Sequence, residues 1–182
     1  MARRPVSLSV VETAYIGLGA NLGDRAATLR EAVRRLGEHG RVAAVSSLYE
    51  TEPVGFREQP PFLNAALALE TALAPTELLD ALIAIERAMG RVRTFRNAPR
   101  TLDLDILLLG GVAHTPGLTL PHPRLHERAF VLAPLAEIAP DVVHPVLGSS
   151  MAELLASLPD RSGIEVWAAP GWERSIRERV SC

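Results

Sequence analysis

In the run Leu102-Asp103-Leu104-Asp105-Ile106, two carboxylates alternate with branched apolar residues. Residues two apart on a strand project from one face, so Asp103 and Asp105 point together while Leu102, Leu104 and Ile106 turn into a core. At about 3.3 Å of rise per residue the two α-carbons stand about 6.6 Å apart, and like charges so close repel unless a cation lies between them. A pair of Mg²⁺ ions, about 3.5–4 Å apart in two-metal sites, suits that spacing. The competing reading is an edge strand with a solvated polar face, since D-x-D is short and common.

Immediately upstream, residues 87–100 carry Arg87, Arg91, Arg93, Arg96 and Arg100 and no acid. Cations and carboxylates are thus segregated along the chain, as a site for a metal-bound polyphosphate requires: carboxylates for the metal, guanidinium forks for the phosphate oxygens. Arg91, Arg93 and Arg100 are the candidates, with Arg87 a charge at a helix C-terminus. Gly90 and Pro99 bracket the segment as a polar loop, expected to order when an anion arrives. Further on, PHPRLHERAF (121–130) sets His122 between a short strand and a helix, within reach of a phosphate or leaving oxygen, with Arg128 and Phe130 behind it. A His flanked by prolines is otherwise a structural turn residue.

The chain that must position these groups has 182 residues, 48% of them hydrophobic, which suits one domain with a sizeable core. The formal net charge is -2, which excludes a surface built to coat nucleic acid or anionic membrane. All 19 basic residues are Arg, so a Lys-bearing phosphate loop is excluded. The single cysteine, Cys182, excludes intramolecular disulfides and multi-Cys zinc sites. Neither a secretory h-region nor an 18-residue apolar run is present. These features describe a soluble cytoplasmic protein with residues 1–12 an N-terminal extension.

Residues 14–18 read as a buried strand. GANLGD then turns the chain, and Asp24 caps a helix beginning near Arg25 and ending at Gly37 to Gly40. Residues 41–50 form a second strand and 62–71 a third, joined by the long Pro-rich TEPVGFREQPP, a length typical of functional loops. Pro75 opens a second helix that Gly90 stops, 101–109 is a fourth strand, and helical patterning returns at 128–138 and 150–158 before a last strand, IEVWA. The order strand, helix, strand, strand, helix, strand predicts an α+β protein. It has a ferredoxin-like βαββαβ core, a mostly antiparallel sheet with helices on one face, and a C-terminal elaboration.

AYIGLGANLGD, SSLYETEPVGF, QPPFLNAALALET, ERAMGRVR, APRTLDLDILL and LPHPRLHERAFVLAPLAEIAP, in that order, closely resemble the 6-hydroxymethyl-7,8-dihydropterin pyrophosphokinases of folate biosynthesis, over residues 13–158. The resemblance implies transfer of the β,γ-diphosphate of ATP to the hydroxymethyl group of a reduced pterin, with two Mg²⁺ ions and AMP as product. By the same resemblance Asp103 and Asp105 hold both metals, and Arg91 and Arg93 bind phosphates or close over the site. Glu86, Arg100, Ile106, Thr119, His122 and Arg128 lie on the ATP side, Ile106 and Thr119 near adenine. Phe62 and Phe130 sandwich the pterin, Asn64 reads its hydrogen-bonding edge, and Thr51, Pro53 and Val54 complete that pocket.

The chain departs from the family pattern in places: Phe62 replaces a common Tyr, Asn97-Ala98 stands where many members carry Trp-Gly, and Thr94 and His126 replace Lys of some relatives. Residues 159–182 match nothing in the family and read as a strand and tail or an oligomer contact; the expected partners are small molecules only, with the chain a monomer. An RNA-binding module is disfavoured because its strand aromatics are missing. A phosphodiesterase or nucleotide-sugar transferase would leave the Arg loop and the pterin-like pocket unexplained together.

Overall fold

The structure is a computed structural model and describes residues 10–55, 58–91 and 98–174. Strand β1 (Glu12–Ala20) leads into helix α1 (Arg25–Leu36), which starts where the Asp24 carboxylate accepts the Ala27 N–H at 3.0 Å. Then come β2 (Arg41–Val45), β3 (Leu48–Thr51), β4 (Phe62–Thr71), helix α2 (Pro75–Ala88) and β5 (Asp103–Leu109). The β6 (Ala113–Thr115) and β7 (Leu118–Leu120) hairpin, helices α3 (Ala129–Ile138) and α4 (Met151–Ser157), and β8 (Ile164–Ala168) complete the described chain. The main sheet runs β5-β1-β4-β3-β8 with β2 also on β4, every pairing antiparallel, which is the expected βαββαβ arrangement with one strand added at its edge.

The structure corrects two expectations. The single strand read at 41–50 is two: its course breaks at Ser46 and Ser47, where long-range partners take over the backbone. Ser46 Oγ accepts the Ala66 N–H at 2.9 Å, the Glu137 carboxylate accepts both the N–H and the hydroxyl of Ser47, and the Trp172 indole donates to Ser46 O at 2.8 Å. Secondly, helices cover both faces of the sheet. Helices α1 and α2 bury Leu29, Val33, Leu36, Leu78 and Leu82 against Leu63, Ala65, Leu67 and Leu69 of β4. On the opposite face α3 and α4 pack Leu132, Leu135, Met151 and Leu154 over Ala66, Leu107 and Leu108. The last strand read at IEVWA is β8, which pairs with β3, and Trp172 beyond it joins the larger core.

Because β1 lies between β4 and β5 and is antiparallel to both, its C-terminal end meets the beginnings of its two neighbours: Gly19 faces Asn64 on one side and Asp103 on the other. Helices α3 and α4 stop short of that end. The sheet surface left open there is the floor of a cavity of about 720 Å³.

Candidate functional site

Strand parity builds the floor. Phe62 and Asn64 of β4, Gly17 and Gly19 of β1, and Asp103 and Asp105 of β5 share the face on which Ala66 and Leu107 meet α3. At Gly19 a Cβ would stand 3.0 Å from Asn64 Oδ1, close enough that the amide would have to shift. Leu102, Leu104 and Ile106 turn to the other face and are buried in the core, as the alternation requires.

On the β5 side charges are dense. Asp103 is bound by Arg91 at 2.6 Å and by Arg100 at 2.5 Å, one guanidinium on each carboxylate oxygen. Glu86, on the last turn of α2 and 3% exposed, pairs with Arg91 and accepts the Leu104 N–H at 2.8 Å. β5 is an edge strand, and Glu86 thereby takes an outward-facing N–H from the residue between the two aspartates. Burial raises the Glu86 carboxyl against the opposing pull of that N–H and of Arg91. Asp105 opens onto the cavity. Enclosure by the cavity walls, then the charges of Asp103 and Glu86, push its carboxyl up to about 6. Two adjacent carboxylates, hard oxygen ligands of which Asp105 has no ion pair among the described residues, fit a divalent cation. Among the described residues no three His, Cys, Asp or Glu side chains converge as a metal cluster.

Across the β5 face, His122 is anchored by its N–H to Leu107 O at 2.9 Å, and its Nδ1 accepts the Arg124 N–H at 3.2 Å. Burial and the neighbouring Arg128 lower its pKa and so favour the neutral ring, in which an accepting Nδ1 leaves the proton on Nε2. Burial also lowers the pKa of Arg128, whose guanidinium lies 5.7 Å from the centroid of the Phe130 ring.

The β4 side is quieter. Asn64 and Thr51 are buried, and Asn64 Nδ2 donates to Thr51 Oγ1 at 2.6 Å. Phe62 opens β4 and Phe130 sits in the first turn of α3, both lining the cavity with Val54.

Of the residues singled out from sequence, the cavity brings together Thr51, Val54, Phe62, Asn64, Glu86, Arg91, Arg100, Asp103, Asp105, His122, Arg128 and Phe130. Pro53, Thr119 and Ile106 do not line it. The Ile106 side chain is in the core, but Leu104 sends its N–H outward, so by parity the Ile106 backbone also faces the open edge of β5. Thr119 lies on β7 with its hydroxyl 3.2 Å from His114 Nδ1. Arg93, Thr94 and Asn97 lie outside the described residues. Sequence reasoning missed Leu79, Asp80 and Ile83 of α2, Pro116 and Gly117 of the hairpin, and Gln59. It also passed over Gly17 and Gly19, whose two-residue spacing within a strand was a readable sign of a floor kept free of side chains.

Residues 15–140 match the family described as 7,8-dihydro-6-hydroxymethylpterin-pyrophosphokinase (HPPK). The 2-amino-4-hydroxy-6-hydroxymethyldihydropteridine pyrophosphokinase of Bacillus subtilis is 47% identical over 157 residues, covering 85% of this chain and 89% of that protein. The protein of the same name from Methylorubrum extorquens is 50% identical over 155 residues, 84% of this chain and 96% of its own. A crystal structure of Plasmodium falciparum HPPK-DHPS shares the fold, with a TM-score of 0.65 at 16% identity over 83% of this chain and 46% of that one.

Proposed function

The chain belongs to the 7,8-dihydro-6-hydroxymethylpterin-pyrophosphokinase family, and from that membership we propose how its cavity divides the reaction. The enzyme transfers diphosphate from ATP to 6-hydroxymethyl-7,8-dihydropterin in folate biosynthesis, leaving AMP. The observation that carries the division is the placement, on one floor, of an acid and arginine cluster along β5 and a paired amide between two phenylalanines along β4.

In this reading the β5 side takes the triphosphate. Asp103 and Asp105 hold two Mg²⁺ ions, which when bound neutralise the phosphates and ease ionisation of the attacking hydroxyl. Arg91 and Arg100 exchange Asp103 for phosphate oxygens, and Arg93 is assigned the same task by its family position. Glu86 steers Arg91 and steadies the strand between the aspartates. The Nε2–H of His122 and the Arg128 guanidinium donate to the phosphates, and the outward backbone of Ile106 together with Thr119 receives adenine.

On the β4 side Phe62 and Phe130 stack on the two faces of the pterin, Asn64 pairs with its polar edge, Thr51 orients that amide, and Pro53 and Val54 close the rim. The pterin hydroxyl then attacks the β-phosphorus in line. A new O–P bond forms, the bridge to the α-phosphate breaks, and AMP leaves with the electron pair; the protein's part is alignment and charge stabilisation. The reading includes a pyrophosphokinase domain over residues 13–158, extended by 159–182, acting as a monomer in the cytoplasm. No described helix is long and apolar enough to cross a membrane.

Phosphorus NMR of a single turnover tests it. One AMP and one pterin diphosphate per ATP, formed only with Mg²⁺ present, is the expected result; ADP as product, or turnover independent of divalent cation, overturns it.

A further inference from the structure

Asn21 is 1% exposed, and nothing in the reaction as described uses it. It is the first residue past the end of β1, so it sits between the chain entering β4 and the chain entering β5. Its side chain binds both. Nδ2 donates to Gln59 Oε1 at 2.8 Å and to Pro60 O at 3.0 Å, two residues ahead of Phe62. Oδ1 accepts the Arg100 N–H at 2.8 Å, and the Asn21 N–H donates to Arg100 O at 3.2 Å, three residues ahead of Asp103.

Only a short carboxamide serves both sides. The β4 entrance offers oxygens and needs a donor, whereas the β5 entrance offers an N–H and needs an acceptor; Asp lacks the donors, and Gln is a methylene longer. A second tether fixes the β4 entrance from outside: Arg25 donates to Pro61 O at 2.8 Å and pairs with Glu50 at 2.7 Å. The β5 entrance has the Arg100–Asp103 pair. Each of these tethers serves one entrance, and Asn21 joins one to the other.

We infer that Asn21 is a positioning residue that couples the two half-sites, so that seating the nucleotide on Arg100 steadies the approach to Phe62 and Asn64. This rests on the division of the cavity proposed above. Coupling between sites is reciprocal, so pterin must tighten nucleotide binding by the same factor. Loss of Asn21 then lowers that factor, an effect that a role confined to stability does not produce.

The experiment measures, by calorimetry, the pterin Kd with and without a saturating non-hydrolysable ATP analogue and Mg²⁺, alongside thermal unfolding. The ratio of the two constants is the coupling factor. In Asn21→Ala it should fall at least about fivefold, the low end of couplings carried between sites. Asn21→Asp keeps the acceptor for Arg100 and loses both donors, so nucleotide affinity alone should stay within about twofold while the coupling factor falls as in the alanine variant. Gln59→Ala, on a rim loop, removes one of the two β4 acceptors and serves if either Asn21 variant does not fold; its coupling factor should fall by about twofold or more. Unchanged coupling in folded variants, or equal losses of both affinities with the ratio preserved, overturns the inference. Failure of the wild-type protein to bind pterin at all would overturn the division of the cavity itself.

Discussion

Along β5 the cavity is crowded with opposed charge, whereas along β4 its polar groups have already found each other. Asp103 is held between two arginines and Asp105 is pushed up to about 6, so this side holds one paired carboxylate beside one without an ion pair among the described residues. Thr51 and Asn64 are joined at 2.6 Å, so that side stands ready in its working geometry. In the proposed division the difference matches what each half would receive. A metal-bound triphosphate brings charges of both signs and must displace existing ion pairs, while a flat heterocycle brings area and a hydrogen-bonding edge and gains most from a slot set in advance.

The sharpest way to break this comparison is to remove a carboxylate. Asp103→Ala and Asp105→Ala should each lower kcat at least about 10²-fold, the loss seen when one electrostatic stabiliser is deleted. Both proteins should fold: Asp105→Ala relieves crowding between acids, and in Asp103→Ala Arg91 keeps Glu86 as its partner while only Arg100 loses its ion pair. Near-wild-type turnover by either at saturating Mg²⁺ would sink the assignment of charge handling to β5.

The β4 side is tested through Phe130 and Asn64. Phe130→Ala should weaken pterin binding by roughly 1–3 kcal/mol, by analogy with bases stacked on aromatic rings, and Asn64→Ala by roughly 1–3 kcal/mol through polar groups left unpaired on the ligand. Nucleotide affinity should shift little, although Phe130→Ala also frees Arg128 from a ring contact worth about 0.5–1 kcal/mol. If Phe130 were core, its truncation would instead cost about 3–5 kcal/mol of stability and lower both affinities together. Melting temperature and both dissociation constants, measured on one sample, separate these outcomes.

How much of this was legible in the sequence differs between the same two sides. Asp103 and Asp105 were readable because parity along five residues is a local rule, and the bounds of β4, Phe62–Thr71, match those read from its apolar run. The kink at Ser46 and Ser47 was not, because RVAAVSSLYE contains neither Gly nor Pro; its cause lies at Glu137 and Trp172, about 90 and 126 residues away in the chain. The second helical layer was signalled faintly. The near-continuous burial of β4 fits a strand covered on both faces rather than one with a solvated side. Asn21 read as an ordinary turn residue, since its partners at Gln59 and Arg100 are brought together only by the strand order.

The smallest expected effect is thermodynamic and concerns the protein without nucleotide or metal. Folding raises the Asp105 pKa to about 6 from its ordinary value of 3.8, so the unfolded chain releases this proton more readily and folding becomes less favourable as pH rises from about 4 through 6. Below pH 4 the group is protonated in both states and the penalty vanishes. Asp105→Asn, which keeps the shape and cannot ionise, should therefore match the wild type near pH 3.5 and exceed it above pH 7. The carboxylate opens onto the water of the cavity, which screens the full effect to about 1 kcal/mol, or about 2–4 °C in Tm for a chain of this size. Mg²⁺ with an ATP analogue should reverse the order, because a ligand that binds only the folded state raises its stability according to affinity, and on the proposed assignment the asparagine variant lacks one of the two carboxylates that would hold the metal. A Tm difference independent of pH, or one that survives ligand addition unchanged, would show that Asp105 carries no stored charge and that the two sides of the cavity do not differ in this respect.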